Sequence, residues 1–253
     1  MSYGMTSIII PTKNGLGLLR ACIASIKQYT NAAETPYEII VADDRSTDGT
    51  PEWCMAERIP FVRLAVSQGF PAACNRGMRM AAGEQLLLLN NDTIVTRDWL
   101  RNLLIALYST PEVGIVGPTT NYASGSQQVV YPFADLAEFQ HIAAELNRSD
   151  PAKWVPALRI IGFCLLMRRS VYERAGELDE RFSPGHYEDD DYCLRARMLG
   201  FGLRICRDVY IYHAGSASFK LGRADELESL IQRNRQLFIE KWNVDPAWYI
   251  DNE

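Results

Sequence analysis

A run of four leucines, residues 86–89, leads directly into Asn90, Asn91 and Asp92, and this junction constrains the fold more than any other stretch. A continuous apolar run is typical of a strand that is buried on both faces. A carboxylate is costly to bury unless it is paired or coordinates a metal. Asp92 therefore lies either in a polar turn at the surface or beside a bound ligand at the carboxyl end of a strand.

Up to Pro118, short apolar runs alternate with segments in which apolar residues recur at helical spacing. Thr50 followed by Pro51 is typical of a helix N-cap and first helical position. The predicted strands are 7–10, 37–42, 61–65, 85–90 and 113–116, and helices are predicted around residues 19–26, after Thr50, and over 70–82 and 99–108. Strands that alternate with helices predict an α/β fold with a mainly parallel sheet and helices on both faces.

After Pro118 this alternation breaks, but no segment rich in proline, glycine and serine marks a linker. The pattern predicts a helix from Asp135, a strand over 157–167 interrupted by Gly162, a helix over 188–199, short strands over 203–206 and 210–212, and a C-terminal helix over 226–242. We therefore predict one domain over residues 1–253. The apolar face of the last helix is expected to pack on the domain's own core, the alternatives being a membrane surface or a second subunit in a homodimer.

The composition argues against several classes of protein. The 31 acidic and 26 basic residues give a net charge of −5, which argues against a nucleic-acid partner. No apolar run approaches the roughly 20 residues that span a bilayer, and residues 1–4 do not resemble a signal peptide. We expect a cytoplasmic protein with at most peripheral contact with the membrane. The six scattered cysteines contain no C-x-x-C pair, which predicts buried free thiols.

Polar residues follow three of the predicted strands, at 11–14, at 43–44 and at 90–92. The carboxyl ends of parallel strands lie on one edge of a sheet, so we expect these groups to converge. Acidic groups brought together there repel each other unless a cation or hydrogen-bond donors lie between them. Asp43 taken alone is explained equally well by an ordinary polar turn.

Two further candidates lie in the second half. Residues 188–191 are four consecutive acids, which suit either the start of a helix or a general base whose pKa is raised by crowding. Asp191 is also spaced to pair with Arg195 one helical turn later. His213 follows a predicted strand and is a candidate metal ligand.

Two nucleotide-binding patterns are missing. Gly15 and Gly17 follow the first strand, but Arg20 stands where a G-x-G-x-x-G fingerprint needs its third glycine. The G-x-x-x-x-G-K-[ST] loop is also absent from the sequence, which argues against P-loop nucleotide hydrolysis.

Taken together, six segments resemble the family 2 glycosyltransferases, which are inverting nucleotide-sugar enzymes with the GT-A fold. They occur in the family's order between about residues 7 and 218, and they are 8–14, 41–50, 68–77, 89–93, 188–191 with Arg195, and His213 followed by Gly215 and Ser216. The resemblance implies a Rossmann-like GT-A domain. Residues 1–118 would form its nucleotide-sugar-binding half, and residues 119–253 its acceptor-binding half with the C-terminal helix.

The resemblance also implies residue roles. Asp189 would be the catalytic base, with Glu188 as its catalytic neighbour. Mn²⁺ or Mg²⁺ would be held by Asp92, His213 and Asn90. Asn90 departs from the family's D-x-D pattern, although an amide oxygen can coordinate a hard cation. The implied substrate-binding residues are Pro11, Thr12, Asn14, Asp43, Asn75, Arg76, Asn91, Asp191 and Arg195.

The implied activity is transfer of a sugar, with inversion, from a UDP- or dTDP-linked donor to a hydroxyl group. The acceptor would be a glycan or a lipid-linked molecule in bacterial cell-surface polysaccharide or glycolipid synthesis. The alternatives are a sugar-phosphate nucleotidyltransferase, which needs a basic glycine-rich loop, and a non-catalytic module that binds nucleotide sugars or glycans. Residues 121–125 are expected to form a surface loop rather than line a substrate pocket.

Overall fold

The computed structural model describes residues 3–215 and 224–248. Ser216, the last residue of the predicted histidine motif, lies outside them. The strands are β1 (Thr6–Thr12), β2 (Tyr37–Asp43), β3 (Phe61–Arg63), β4 (Gln85–Leu89), β5 (Thr93–Ile94), β6 (Val113–Thr120), β7 (Trp154–Ala157), β8 (Cys164–Arg168) and β9 (Gly202–His213). The helices are α1 (Leu16–Tyr29), α2 (Thr50–Ala56), α3 (Phe70–Met80), α4 (Trp99–Leu107), α5 (Leu136–Leu146), α6 (Arg169–Ala175), α7 (Glu188–Met198) and α8 (Ala224–Trp242).

The strands form one mixed sheet in the order β3-β2-β1-β4-β8-β6-β9-β5, with β7 paired to β9. The first four strands in this order are parallel, as the sequence pattern predicts. Strand β8 then lies antiparallel between β4 and β6. The carboxyl ends of β1, β2 and β4 therefore share one edge of the sheet.

Strand β4 is buried on both faces, which confirms the interpretation of the leucine run. Leu87 and Leu89 pack with α1 and α4 on one face, and Leu86 and Leu88 pack with α3 and α7 on the other. Each of the four side chains has at most 1% of its surface exposed. Burying a leucine side chain contributes about 1.5–3 kcal/mol. The four leucines therefore favour a position for β4 in the middle of the sheet, where both of its faces are covered.

Several predicted boundaries were wrong. Strand β1 continues through Pro11, because its pairing with β4 ends at Ile9 and leaves only β2 as a partner beyond that point. The predicted strand 157–167 is two strands, β7 and β8, which pair with different neighbours. The predicted strands 203–206 and 210–212 are one strand, β9, whose register against β6 shifts between Pro118 and Thr119. Helix α2 has Gly49 rather than Thr50 at its N-cap.

The C-terminal helix packs on its own domain. Phe238 of α8 is fully buried against Phe182, and the indole Nε1 of Trp242 donates to Asp191 Oδ1 at 2.8 Å. The predicted packing on the domain's own core is therefore confirmed for the described part of this helix. Over the described residues, the helices are too short or too polar to cross a membrane. All six cysteines are buried free thiols, as predicted.

We expect Gly77→Ala and Gly17→Ala to change stability in opposite directions. An added Cβ at Gly77 in α3 would overlap the side chain of Ile9 beneath it, whereas at Gly17 in α1 it meets nothing within 4 Å. Overpacking costs about 1–3 kcal/mol, while alanine in place of glycine favours a helix by up to about 1 kcal/mol. Urea unfolding of both variants measures the two signs. A stabilised Gly77→Ala would contradict this account of the contact between helix and sheet.

Candidate active site

Three strand ends meet at the carboxyl edge of the parallel strands, as predicted. Thr12 and Asp43 are register partners on β1 and β2, and the Asn91 side-chain amide donates to Thr12 Oγ1 at 2.7 Å. Asp43 is fully buried. Its Oδ1 accepts the Ser46 N–H at 2.9 Å, and Arg63 Nε lies 3.2 Å from its Oδ2. The Arg63 charge compensates this buried carboxylate.

The loops that follow β1 and β2 are joined by Asn14. Its Oδ1 accepts the Thr47 N–H at 2.7 Å, and its own N–H donates to Ser46 Oγ at 2.9 Å. Asn14 has a φ of 49°, a left-handed conformation that asparagine adopts more readily than most residues. Pro11 lies below this loop and is buried opposite Ala42. The edge thus offers polar groups on a rigid base, which suits a nucleotide.

Asp92 and His213 are brought together because the short strand β5 pairs with the end of β9. Asp92 Oδ1 lies 3.2 Å from His213 Nε2, and Asn90 Nδ2 lies 3.4 Å from the same nitrogen. His213 Nδ1 lies 2.8 Å from the Tyr122 carbonyl oxygen. A carbonyl can only accept, so Nδ1 carries a proton, and a lone pair for a metal ion is available only at Nε2, the nitrogen that faces Asp92.

This donor set fits a divalent cation. The imidazole Nε2 and the Asp92 carboxylate oxygen face each other at 3.2 Å, and imidazole nitrogen and carboxylate oxygen are both ligands that a divalent cation accepts. Rotating the Asn90 amide would add its oxygen. Among the described residues, no group of three or more His, Cys, Asp or Glu side chains could hold a metal ion. Phosphate and water oxygens would have to complete the coordination.

The sequence interpretation missed the residues that orient His213. Asn121 accepts the His213 backbone N–H at 2.9 Å and donates to the His213 carbonyl at 3.0 Å. Phe163 stacks on the imidazole, with ring centroids 5.2 Å apart. Asn121 follows directly after β6, so the same reasoning about strand ends could have identified it. Residues 121–125 lie at the surface, as expected, and the first two of them also contact His213.

Asp189 is half-buried and held by backbone groups. Its Oδ2 accepts the Gly162 N–H at 2.8 Å, and its Oδ1 accepts the Asp190 N–H at 2.9 Å. These bonds fix the carboxylate at the start of α7. The geometry is compatible with the predicted base, and the role itself stays a prediction.

Glu188 lies in a very different environment. It is buried, and its Oε2 has no hydrogen-bond partner among the described residues. Burial, and then the neighbouring Asp189 charge, hold the pKa of Glu188 well above its usual range. Glu188 therefore favours the protonated form beside a second acid that is held by backbone N–H groups.

Asp190 and Asp191 are committed to interior contacts. Asp190 Oδ1 pairs with Arg159 Nη1 at 3.1 Å, and both side chains are buried. Asp191 pairs with Arg195 at 2.9 Å, the predicted one-turn pair, and also contacts Lys241. Arg195 Nη1 and Nη2 donate to the carbonyls of residues 175 and 177. These contacts are structural, and the substrate-binding roles of Asp191 and Arg195 stay predictions without support from this geometry.

Asn75 likewise has protein partners. Its amide exchanges two hydrogen bonds of 2.9 Å with the Leu178 backbone and donates to Glu180 at 3.0 Å. Arg76 follows in α3 and is half-buried. The Asn75 contacts hold residues 178–180 against α3, and the donor-binding roles of both residues stay predictions.

The predicted base and the predicted metal ligands flank a single dipeptide, Gly162-Phe163. Gly162 donates its N–H to Asp189, while the Phe163 ring stacks on His213. The Phe163 carbonyl also accepts the Asn90 N–H at 2.8 Å. The dipeptide thus contacts the predicted base on one side and two of the predicted metal-site residues, Asn90 and His213, on the other.

Comparison with known proteins identifies relatives of this chain. The sequence profile described as "Glycosyl transferase family 2" matches residues 7–176. The O-antigen biosynthesis protein RfbC of Myxococcus xanthus is 31% identical over 84% of this chain and 17% of its own length. The low-salt glycan biosynthesis hexosyltransferase Agl10 of Haloferax volcanii is 25% identical over 70% of this chain and 58% of its own length. The chain thus spans well under two thirds of these relatives.

Solved structures share the fold. The mannosyltransferase PcManGT of Pyrobaculum calidifontis, in complex with GDP-Man and Mn²⁺, superposes with a TM-score of 0.62 at 22% identity, over 85% of this chain and 58% of that one. GalNAc-T7 with UDP, GalNAc and Mn²⁺ gives a TM-score of 0.66 at 15% identity, over 85% of this chain and 45% of that one. The predicted α/β GT-A fold is confirmed.

We expect the stability of Glu188→Gln relative to the native chain to increase as the pH rises. The folded state keeps the Glu188 proton, whereas the unfolded chain ionises near the ordinary value of 4.5. The native chain therefore loses stability as the pH rises above that value towards the raised pKa, and glutamine does not titrate. Each unit of pKa difference is worth about 1.4 kcal/mol.

Urea unfolding at about pH 5 and about pH 8 measures this difference. Glu188→Ala serves as the control, because the cavity it leaves should lower stability at both pH values. A gap between the Gln variant and the native chain that does not change with pH would rule out a protonated Glu188.

Proposed function

The chain belongs to glycosyl transferase family 2, and we propose that it transfers a sugar, with inversion, from a nucleotide-diphosphate donor to a hydroxyl acceptor. The observation that carries this proposal is the Gly162-Phe163 dipeptide, which has the metal-ligand candidates on one side and Asp189 on the other. In an inverting transfer, the leaving diphosphate and the attacking hydroxyl lie on opposite faces of the sugar. In this proposal the diphosphate lies on the side of the metal-ligand candidates, and the hydroxyl lies on the side of Asp189.

On the donor side, we propose that Thr12, Asn14 and Asp43 bind the base and the ribose of a UDP- or dTDP-linked sugar. The buried Asp43 carboxylate can accept an N–H group from a base, and the loops joined by Asn14 are held rigid by their own hydrogen bonds. In this proposal residues 1–118 form the donor half. His213 reaches into it from the acceptor half, residues 119–253.

Asp92, His213 and the Asn90 amide would hold Mn²⁺ or Mg²⁺, and the mixed nitrogen and oxygen donors favour Mn²⁺. When bound, the cation would stabilise the negative charge that develops on the departing diphosphate. The protein contributes orientation, because the Tyr122 carbonyl fixes the tautomer of His213 and Asn121 fixes its backbone.

On the acceptor side, Asp189 would take the proton from the attacking hydroxyl. Its carboxylate is held by two backbone N–H groups, so that little reorganisation is needed at the moment of attack. A single direct displacement from this side inverts the anomeric carbon. Because relatives act in O-antigen and glycan biosynthesis, we propose a glycan or lipid-linked acceptor of a bacterial cell surface, reached from the cytoplasm.

We expect Asp189→Asn to reduce sugar transfer about 10²–10⁴-fold, the usual contribution of a general base, because the amide cannot accept the proton. Donor binding should be unchanged, since Asp189 lies on the acceptor side. Release of nucleoside diphosphate from a panel of UDP-, dTDP- and GDP-linked sugars with Mn²⁺ measures transfer or donor hydrolysis. Calorimetry with the same donors measures binding.

Asp135→Asn is the control, because asparagine caps the N-terminus of α5 as well as aspartate does. Turnover of Asp189→Asn close to that of the native chain would remove Asp189 as the base. If the native chain binds a donor without ever releasing diphosphate, it is a binding module. If it instead forms a nucleotide sugar from a nucleoside triphosphate, it is a nucleotidyltransferase.

We expect His213→Ala to weaken Mn²⁺ binding in the presence of UDP by at least the roughly 10–100-fold that follows loss of a supporting residue. Asn90→Asp should tighten it, because a carboxylate is a stronger ligand than an amide. Calorimetric titration of Mn²⁺ checks both. The exposed His141 provides the matched control, and equal affinities for His213→Ala and His141→Ala would contradict the assignment.

A further inference from the structure

Asp44 is a buried carboxylate whose two oxygens both bind the turn at residues 67–69. Its Oδ2 accepts Ser67 Oγ–H at 2.7 Å and the Gly69 N–H at 3.0 Å, and its Oδ1 accepts the Gln68 N–H at 2.7 Å. Its own N–H donates to the Thr12 carbonyl at 2.8 Å. Residues 67–69 are therefore attached directly to the edge that carries the proposed donor site.

The same turn contacts the segment before α7. An ideal Cβ at Gly69 would overlap Pro184 Cα, so the two backbones are in direct contact. The next residue, Phe70, donates its N–H to the Pro184 carbonyl at 2.9 Å. Gly69 has a φ of 87°, which a residue with a side chain rarely adopts. Only glycine satisfies both the conformation and the contact.

Asn234 of α8 holds this segment in place through its own contacts. Its amide is fully buried and donates to the carbonyls of Phe182, Gly185 and His186 at 2.6, 2.7 and 3.1 Å. Residues 182–186 are thus held by two separate elements, the turn at Gly69 and the Asn234 amide, immediately before the acids of α7. Asp189 lies only five residues after Pro184 in the sequence.

We propose that Asp44 and Gly69 are positioning residues that set the place of Asp189 relative to the donor site. Asp44 fixes the turn to the donor edge, and Gly69 lets Pro184 approach closely enough to fix the start of α7. A second contact has the same effect, because the Phe70 ring lies near Gly162, which donates to Asp189. The proposal rests on Asp189 being the base, as argued above.

Gly69→Ala tests the proposal against a matched control. Gly176 has a similar backbone conformation, φ 76° and ψ −152° against φ 87° and ψ −176°, but an added Cβ there meets nothing within 4 Å. Gly176→Ala therefore reproduces the conformational strain without the collision. We expect kcat of Gly69→Ala to fall at least about 10-fold with the donor KM within about twofold of native, since small misplacements of a reacting group have large effects on rate.

Asp44→Asn is the second variant, because it keeps the size of the side chain but turns one acceptor into a donor that faces a backbone N–H group, that of Gln68 or of Gly69. We expect the same split, a lower kcat with donor binding retained. Hydrogen–deuterium exchange should also be faster over residues 183–191 in both variants and unchanged there in Gly176→Ala.

A loss of thermal stability equal to that of Gly176→Ala, with kcat and exchange over 183–191 unchanged, would overturn the proposal. So would a higher donor KM with an unchanged kcat, which would mark Asp44 and Gly69 as donor-binding residues. If the native chain turns over no donor, the proposed function fails, and the exchange experiment alone decides whether the turn at Gly69 holds the segment before α7.

Discussion

The burial of β4 on both faces is the constraint from which the site follows. Leu86 to Leu89 alternate between the two helical layers, so the strand has to lie in the middle of the sheet. A strand in that position delivers the residues after it to the sheet's carboxyl edge. Asn91 contacts Thr12 and Asp92 contacts His213 because the buried leucines place β4 in the middle of the sheet.

The antiparallel strand β8 explains why Asp189 and His213 both contact the Gly162-Phe163 dipeptide. Because β8 runs against β4, its first residue, Cys164, pairs with Leu89, the last residue of β4. Gly162 and Phe163 precede Cys164 and therefore lie beside Asn90 at the edge of the sheet. The reversal of one strand places a backbone N–H against Asp189 and an aromatic ring against His213.

The four acids of α7 show how environment divides chemically similar groups. Glu188 is buried without a hydrogen-bond partner for Oε2 among the described residues, and its pKa is raised. Asp189 is half-buried and held by two backbone N–H groups. Asp190 and Asp191 are neutralised by Arg159 and by Arg195 with Lys241. Four consecutive acids in the sequence therefore become three kinds of group in the fold: one with a raised pKa, one held by backbone N–H groups, and two paired with basic side chains.

The sequence by itself determined the parallel half of the sheet and the convergence of Thr12, Asp43 and Asn91. The spacing of apolar residues within each segment identifies its strands and helices, and the carboxyl ends of parallel strands share one edge. It also indicated the pairing of Asp191 with Arg195, which lies within one helix. Only the tertiary structure decided that β9 is one continuous strand, that Asn121 and Phe163 orient His213, and that Asn75 holds a distant loop. Those outcomes depend on which strands become neighbours and on which side chains are then buried between them. No single segment of the sequence determines either one.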